Sequence, residues 1–432
     1  MTAVALAQGI RAAAARQGLR SGCDKQRIRK WEQLGVTPDA ETQLYIAEVL
    51  GIPADAVIPG DWPTWLPAAR CALVPLGPSS TVPALREALR TTMERSRRTV
   101  INAISGAALI SLAGSWAASD SWTGAGRRAS TARSVGDELV TLLQETTARL
   151  TSVATEQRQH TAPIVDAHLA TVTDLLEHGR YTTKVGLRLH ALAAQLSQSV
   201  AWHRFDLGAH AEAGTYWVAG LHSAHAGGDR DMGAALLGDL AYQASWLRDP
   251  QTASGILQRA LTRTEHPVAQ SLLQLRLARA WAAQGERRAS LKALTAAEHH
   301  LGTSSGEPCP NWCAWMSEAD LAVDSGQCLL DLGDSSRAHK LIQEGKTLLP
   351  RSRDKTRGVF LAYEAKSHLE RREPELAAAT ARESLQLAHR TGAPRCVELV
   401  HDLLPRFDGY PTAQGVPELM ALAAAWASFS CP

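Results

Sequence analysis

The chain has 432 residues, 45 lysines and arginines against 43 aspartates and glutamates, and a formal net charge of +2. That length allows two to four domains on a prior of roughly 150 residues each, and the near-neutral balance excludes a globally basic nucleic-acid binder, so an anionic partner must be met by a local patch. Seven scattered cysteines exclude a small disulfide scaffold and suit a reducing cytoplasm. A chain rich in Ala, Leu and Arg and poor in Phe, Tyr and Ile favours helix over sheet.

The first segment, MTAVALAQGIRAAAARQGL, reads as an Ala-rich helix ending near Gly18, with no basic region ahead of an apolar core and so no secretory signal. CDKQRIRKWEQLGVTP, from Cys23 to Pro38, follows. Asp24 suits an N-cap, because its carboxylate can accept from orphan N–H groups of the next turn. Ile28 and Trp31 are three apart and share a helical face, while Lys25, Gln26, Arg29 and Lys30 fall largely off it and Arg27 flanks it. A short helix with a buried back and a cationic front can enter a DNA major groove, where Gln reads adenine edges and Arg or Lys reads guanine. The same pattern also fits a solvated basic helix of a small bundle. DAETQLYIAEVLGI then predicts a helix capped by Asp39, with Leu44, Ile46, Ala47 and Leu50 as its apolar face and Gly51 as its stop. Prolines 53, 59, 63 and 67 forbid a long helix after it, and Trp62 and Trp65 are placed to cover the small domain or dock it on the next.

Residues 71–82 read as a linker and Pro83 to Arg98 as an amphipathic helix. Thr99 to Ser119 carries no charge. Its length suits a membrane span of about 20 residues. Its Gly, Ala, Ser and Asn content suits a buried bundle helix, and basic residues at both ends give it no orientation. From Ser134 the pattern is helix after helix, and past Gly179 it repeats. A turn residue is followed five positions later by a small one: Gly208 with Ala213, Arg248 with Ala253, Gly285 with Ser290, Gly333 with Ala338, Arg372 with Ala377. The copies recur every 37 to 48 residues, the spacing of helix-pair solenoids. LGTSSGEPCPNW accounts for the longest interval.

No P-loop, G-x-S-x-G, H-E-x-x-H or dinucleotide fingerprint is present, so no enzyme chemistry and no cofactor are expected. Cys309 and Cys313 form a C-x3-C pair whose nearest upstream histidines are His299 and His300. Without a second pair at matching spacing the two read as loop thiols and not as a metal site. Arg188, Gln195, Arg276 and Arg279 interrupt apolar helix patterns. On the first helices of repeat pairs such side chains line a concave groove and can grip a peptide or carboxylate. The favoured reading is that they bridge repeats, for instance to Asp206 or Asp239, because long charged side chains commonly cover such grooves without a ligand. Trp202, Trp217, Trp246, Trp281 and Trp312 read as packing residues.

IRKWEQLGVTPDAETQLYIAEVLGI resembles the second half of an Xre-type helix-turn-helix. The matching positions are Ile28, Trp31, Glu32 and Pro38, then Ile46, Ala47, Leu50, Gly51 and Ile52. The layout is similar to actinobacterial regulators that join such a domain, through a W-P-x-W-L-P segment matched by Trp62, Pro63, Trp65, Leu66 and Pro67, to a C-terminal tetratricopeptide (TPR) array. The chain departs from that family between Leu19 and Lys25, where too few residues remain for the usual second helix and its turn. Either the domain is abbreviated or the first helix takes the bracing role.

The expectation is an all-α protein: a helix-turn-helix-like head over residues 1–67, a connecting segment over 68–133, and an α-solenoid of TPR-like pairs over 134–428. The resemblance implies a cytoplasmic transcription regulator that binds DNA through Lys25, Gln26, Arg27, Arg29 and Lys30, as a homodimer. The array would take a peptide, small molecule or protein partner. The alternative is an interaction scaffold with a vestigial head, tethered to a membrane through Thr99 to Ser119.

Overall fold

A computed structural model describes residues 3–33, 36–50, 57, 62, 76–77, 79–93, 104–119, 134–151, 158–303, 309–310 and 312–427. Among the described residues the protein is all-α, with nineteen α-helices and no strand. Three short helices form the head: α1 (Ala3–Arg16), α2 (Lys25–Gln33) and α3 (Ala40–Leu50). Gly18 ends α1 at φ +75, with the Leu19 N–H returning to the Ala14 carbonyl, which satisfies an orphan acceptor as a left-handed cap does. Asp24 and Asp39 cap α2 and α3 as expected, accepting from the Arg27 and Thr42 N–H groups at 2.8 Å each. Leu6, Ile10, Ala13, Cys23, Ile28 and Ile46 close the core of the head, with Trp31 and Trp62 half-buried against it. The α3 face differs from its expected one. Ile46 and Ala47 are buried as expected, but Tyr45 joins them and Leu44 is 41% exposed, because the face that meets α1 includes Val49, whose methyls lie 2.8 and 2.9 Å from where a Cβ on Gly9 would stand. Leu50's side chain, Trp65 and the remainder of the Trp-Pro segment lie outside the described residues.

The two helices of the connecting segment, α4 (Thr81–Met93) and α5 (Gly106–Ala118), pack into the same core as the repeats. Arg86 of α4 reaches Glu177 and Asp174, each at 2.6 Å. The apolar run resolves as a 13-residue helix, and no described helix is long and apolar enough to cross a membrane. Its apolar side has a protein partner instead. Trp116 is buried over Gly233, where a Cβ would stand 2.6 Å from the indole Nε1, and Arg263 holds the helix end through the Ala117 and Ser119 carbonyls. Residues 99–103 lie outside the described set.

After α6 (Asp137–Thr151) and α7 (Arg158–His178), helix pairs follow in series. They are α8 (Thr183–Asp206) with α9 (His210–Gly227), α10 (Arg230–Trp246) with α11 (Pro250–Ala260), and α12 (Pro267–Ala283) with α13 (Arg287–Gly302). The last two are α14 (Glu318–Asp331) with α15 (Ser335–Leu348), and α16 (Asp354–Glu370) with α17 (Pro374–Thr391). Then come α18 (Pro394–His401), a 3-10 turn (Leu404–Gly409) and α19 (Val416–Ala427). All five repeat anchors do the work their spacing predicts. Gly208, Arg248, Gly285, Gly333 and Arg372 have φ between +62 and +83. Behind each, the next N–H returns to a carbonyl five residues back, as from Asp249 to Ala244 and from Glu373 to His368, both at 2.9 Å. The partners Ala213, Ala253, Ser290, Ala338 and Ala377 are fully buried, so each pair closes on a small residue. A sixth copy, Gly228 with Gly233, turns α9 into α10 by the same device; Gly in place of Ala hid it.

Candidate nucleic-acid interface

Helix α2 is the most polar of the head helices, and its apolar side chains point one way. Ile28 is 1% exposed and Trp31 half-buried, whereas Lys25, Gln26, Arg27, Arg29 and Lys30 are all exposed. None of the five pairs with a described carboxylate in an ion pair. Two features fix the helix on its bundle. The Asp24 cap holds its first turn, and Arg11 of α1 donates to the Cys23 carbonyl at 2.7 Å. A shallow depression runs beside the helix, lined by Asp24, Gln26, Arg27, Lys30, Trp31 and Pro38. At its edge the Thr42 N–H bond holds the Asp39 carboxyl below its usual pKa, so Asp39 stays ionised and its oxygens stay on α3. Burial pushes the Cys23 thiol up, which makes it a core residue and not a nucleophile. Leu6, Ala7, Ile10 and Ala14 of α1 lie in one core with Ile28.

The four groove residues do not form one site. Arg188 leaves α8 toward α6, where it meets Asp137 at 2.6 Å, Thr141 at 2.8 Å and Gln144. Gln195 is half-buried one helical stretch away. Arg276 and Arg279 are both engaged across neighbouring helix pairs. Arg276 pairs with Asp239 at 2.9 Å and lies over the Tyr242 ring. Arg279 pairs with Asp324 at 2.6 Å, donates to the Tyr363 hydroxyl at 3.1 Å and lies over that ring. Burial raises the Asp239 carboxyl, against the pull of Arg276 and of hydrogen bonds from Gln198 and Trp202. Charged groups buried this way persist only when paired, so these residues hold neighbouring repeats together.

Arg395 of α18 belongs to the same inner network. It reaches back to Asp206 of α8 at 2.9 Å, donates to Tyr242 at 3.3 Å and covers Trp202 and Phe205. Arg248 also pairs with Asp402, so the last helices close on the first pairs. A contact between residues 189 positions apart leaves no local trace in PRCVELVH; of the two bridging aspartates the sequence offers, Asp239 does pair with Arg276, whereas Asp206 pairs with Arg395. The tryptophans pack as expected, with Trp217 fully buried and Trp202 edge-on to it at 5.5 Å.

Residues 1–56 match the family model described as the SP15 N-terminal domain. That match covers the three helices of the head and ends before the repeats. No curated protein matches the chain.

Proposed function

We propose that the protein is a DNA-binding transcription regulator of the Xre type, with α2 as its reading helix and the helical array as a TPR-like sensor of a peptide, small molecule or protein. One observation carries this reading: five cationic or amide side chains stand exposed on a nine-residue helix whose apolar residues are turned into a separate small core. A merely solvated surface helix of this type often interleaves acids with its bases, whereas α2 carries four bases ahead of its single acid, Glu32. Lys25, Arg27, Arg29 and Lys30 supply phosphate and guanine contacts, and Gln26, the second residue of the helix, supplies a bidentate partner for adenine. A two-headed dimer would place two such helices in successive major grooves, about 34 Å apart.

The array would signal through its internal charges. An acidic group on an effector competes with Asp239 and Asp324 for Arg276 and Arg279, and exchanging those partners shifts one repeat against the next. The test separates base reading from backbone attraction. Replacing Gln26 by Ala relaxes sequence preference with little loss of overall affinity. Replacing Arg29 by Ala weakens binding to every sequence and lowers the salt slope by about one counterion. Competitive binding to a randomised DNA pool reads both. Unaltered affinity and selection in both variants leaves the interaction-scaffold reading.

A further inference from the structure

His266, Cys309 and Cys313 come together although they lie in separate segments. His266 is the N-cap residue of α12, and the two cysteines sit in the irregular connection between α13 and α14. The histidine that meets the thiols is neither His299 nor His300 but one more than 40 residues upstream in the chain. The two Sγ atoms are 3.7 Å apart, and a ring nitrogen of His266 lies within 4.8 Å of both. Two thiolates at 2.3 Å from a tetrahedral ion stand about 3.8 Å apart, and a thiolate and an imidazole nitrogen about 3.6 Å. The sulfur pair therefore already has the span of a tetrahedral edge, and the ring needs to approach by about an ångström at most. A second observation points the same way. His266 Nδ1 accepts from the Val268 N–H at 3.2 Å, while Nε2 is buried and without a partner, and a buried ring nitrogen left unpaired is costly.

We propose that His266, Cys309 and Cys313 bind one soft transition-metal ion, zinc(II) by class, with the fourth position taken by water. Two thiolates and an imidazole exclude calcium and magnesium, which demand oxygen ligands. Binding releases two thiol protons to solvent, and the imidazole stays neutral. Its remaining proton moves to Nδ1, so the ion replaces the Val268 contact as the group that orients the ring. Cys313, Trp312 and Met316 already contribute to the apolar packing between α12 and α14. The ion would staple the irregular connection to the start of α12 and so fix the register of the third and fourth helix pairs. Both cysteines are free in the structure, and a disulfide between them is the competing fate of the same pair.

The test uses the full chain, reduced and stripped with a chelator. Zinc(II) titration by calorimetry, with cobalt(II) as the spectroscopic probe, should give one site per chain and a thiolate-to-cobalt charge-transfer band. His266→Ala, Cys309→Ser and Cys313→Ser should each weaken zinc binding by about a hundredfold or more, since even outer-shell partners of metal ligands are worth roughly ten- to a hundredfold. Cys328→Ser, which removes a buried thiol outside the cluster, should leave it intact. Because a variant at Cys313 can also disturb the core, His266→Gln provides the second reading: the fold is kept, by circular dichroism, and the cobalt band is lost. No stoichiometric zinc under reducing conditions, a cobalt spectrum without thiolate character, or equal affinity in His266→Gln overturns the proposal. So does a protein that takes up no metal when reduced and forms only the Cys309–Cys313 disulfide when oxidised.

Discussion

His222 shows what a single buried side chain does to the pH range of the fold. It lies in α9, 1% exposed, with neither ring nitrogen hydrogen-bonded. Burial, with His225 adding to it, pushes its pKa down to about 4 from 6.5. The folded value is below the unfolded one, so the neutral ring contributes stability that is complete above pH 6.5 and is lost as pH falls toward 4. A shift of that size corresponds to on the order of 3 kcal/mol across the window. Thermal unfolding of the wild type should therefore fall steeply from pH 7 to pH 5, and His222→Asn should flatten that fall. A wild type and a variant with parallel pH profiles would mean that the ring is solvated in solution. Nothing in the sequence around His222 marks it: alternation of small and apolar residues on all sides of α9 shows that the helix is central, but not that its histidines lack partners.

At the scale of one element, the repeat was legible because its turn is a backbone demand. A left-handed residue can only be Gly, Asn or a strained alternative, and the residue five positions on must be small where two helices close. That is why GAHAEA and GDSSRA stood out, and why RDPQTA and REPELA, with Arg at the same turn, fitted the same frame. Arg248 and Arg372 hold φ +66 and +62 at a cost of about 1 kcal/mol each. Replacing Arg372 with Gly should raise stability by up to about 1 kcal/mol, whereas Gly333→Ala, at φ +83, should lower it by about the same amount. Chemical denaturation of the two variants checks the opposite signs; a loss of stability in both would refute the left-handed cap at Arg372. The apolar run was only half legible. Its composition fitted two environments, and the choice was made by Gly233, more than a hundred residues away, whose missing side chain admits Trp116.

For the whole molecule, the all-α architecture and the order of helix pairs followed from periodicity, while the closure of the array on itself did not. Arg395 and Asp206 meet across the whole run of five helix pairs, and no window of sequence encodes that contact. Arg395→Ala should cost about 1–3 kcal/mol, since it leaves Asp206 and Tyr242 without their partner. It should also speed amide exchange in α18 and α19 far more than in α8; uniform exchange would show that the closing contact does not hold the end in place. The head was readable for the opposite reason, as its caps, its turn and its core lie within 50 residues. Its unresolved question, what stands behind Ile28 in so short a domain, has a structural answer in α1. The proposed role of the exposed face of α2 is to meet DNA. Fluorescence anisotropy on a duplex recovered by genome-wide capture, measured across salt concentrations, tests it most directly. The wild type should bind with a steep salt dependence, and Arg27→Ala with Arg29→Ala should reduce the log–log slope by about two and abolish capture at physiological salt. Equal affinity and equal slope in the double variant, or no captured DNA with either protein, would contradict the account.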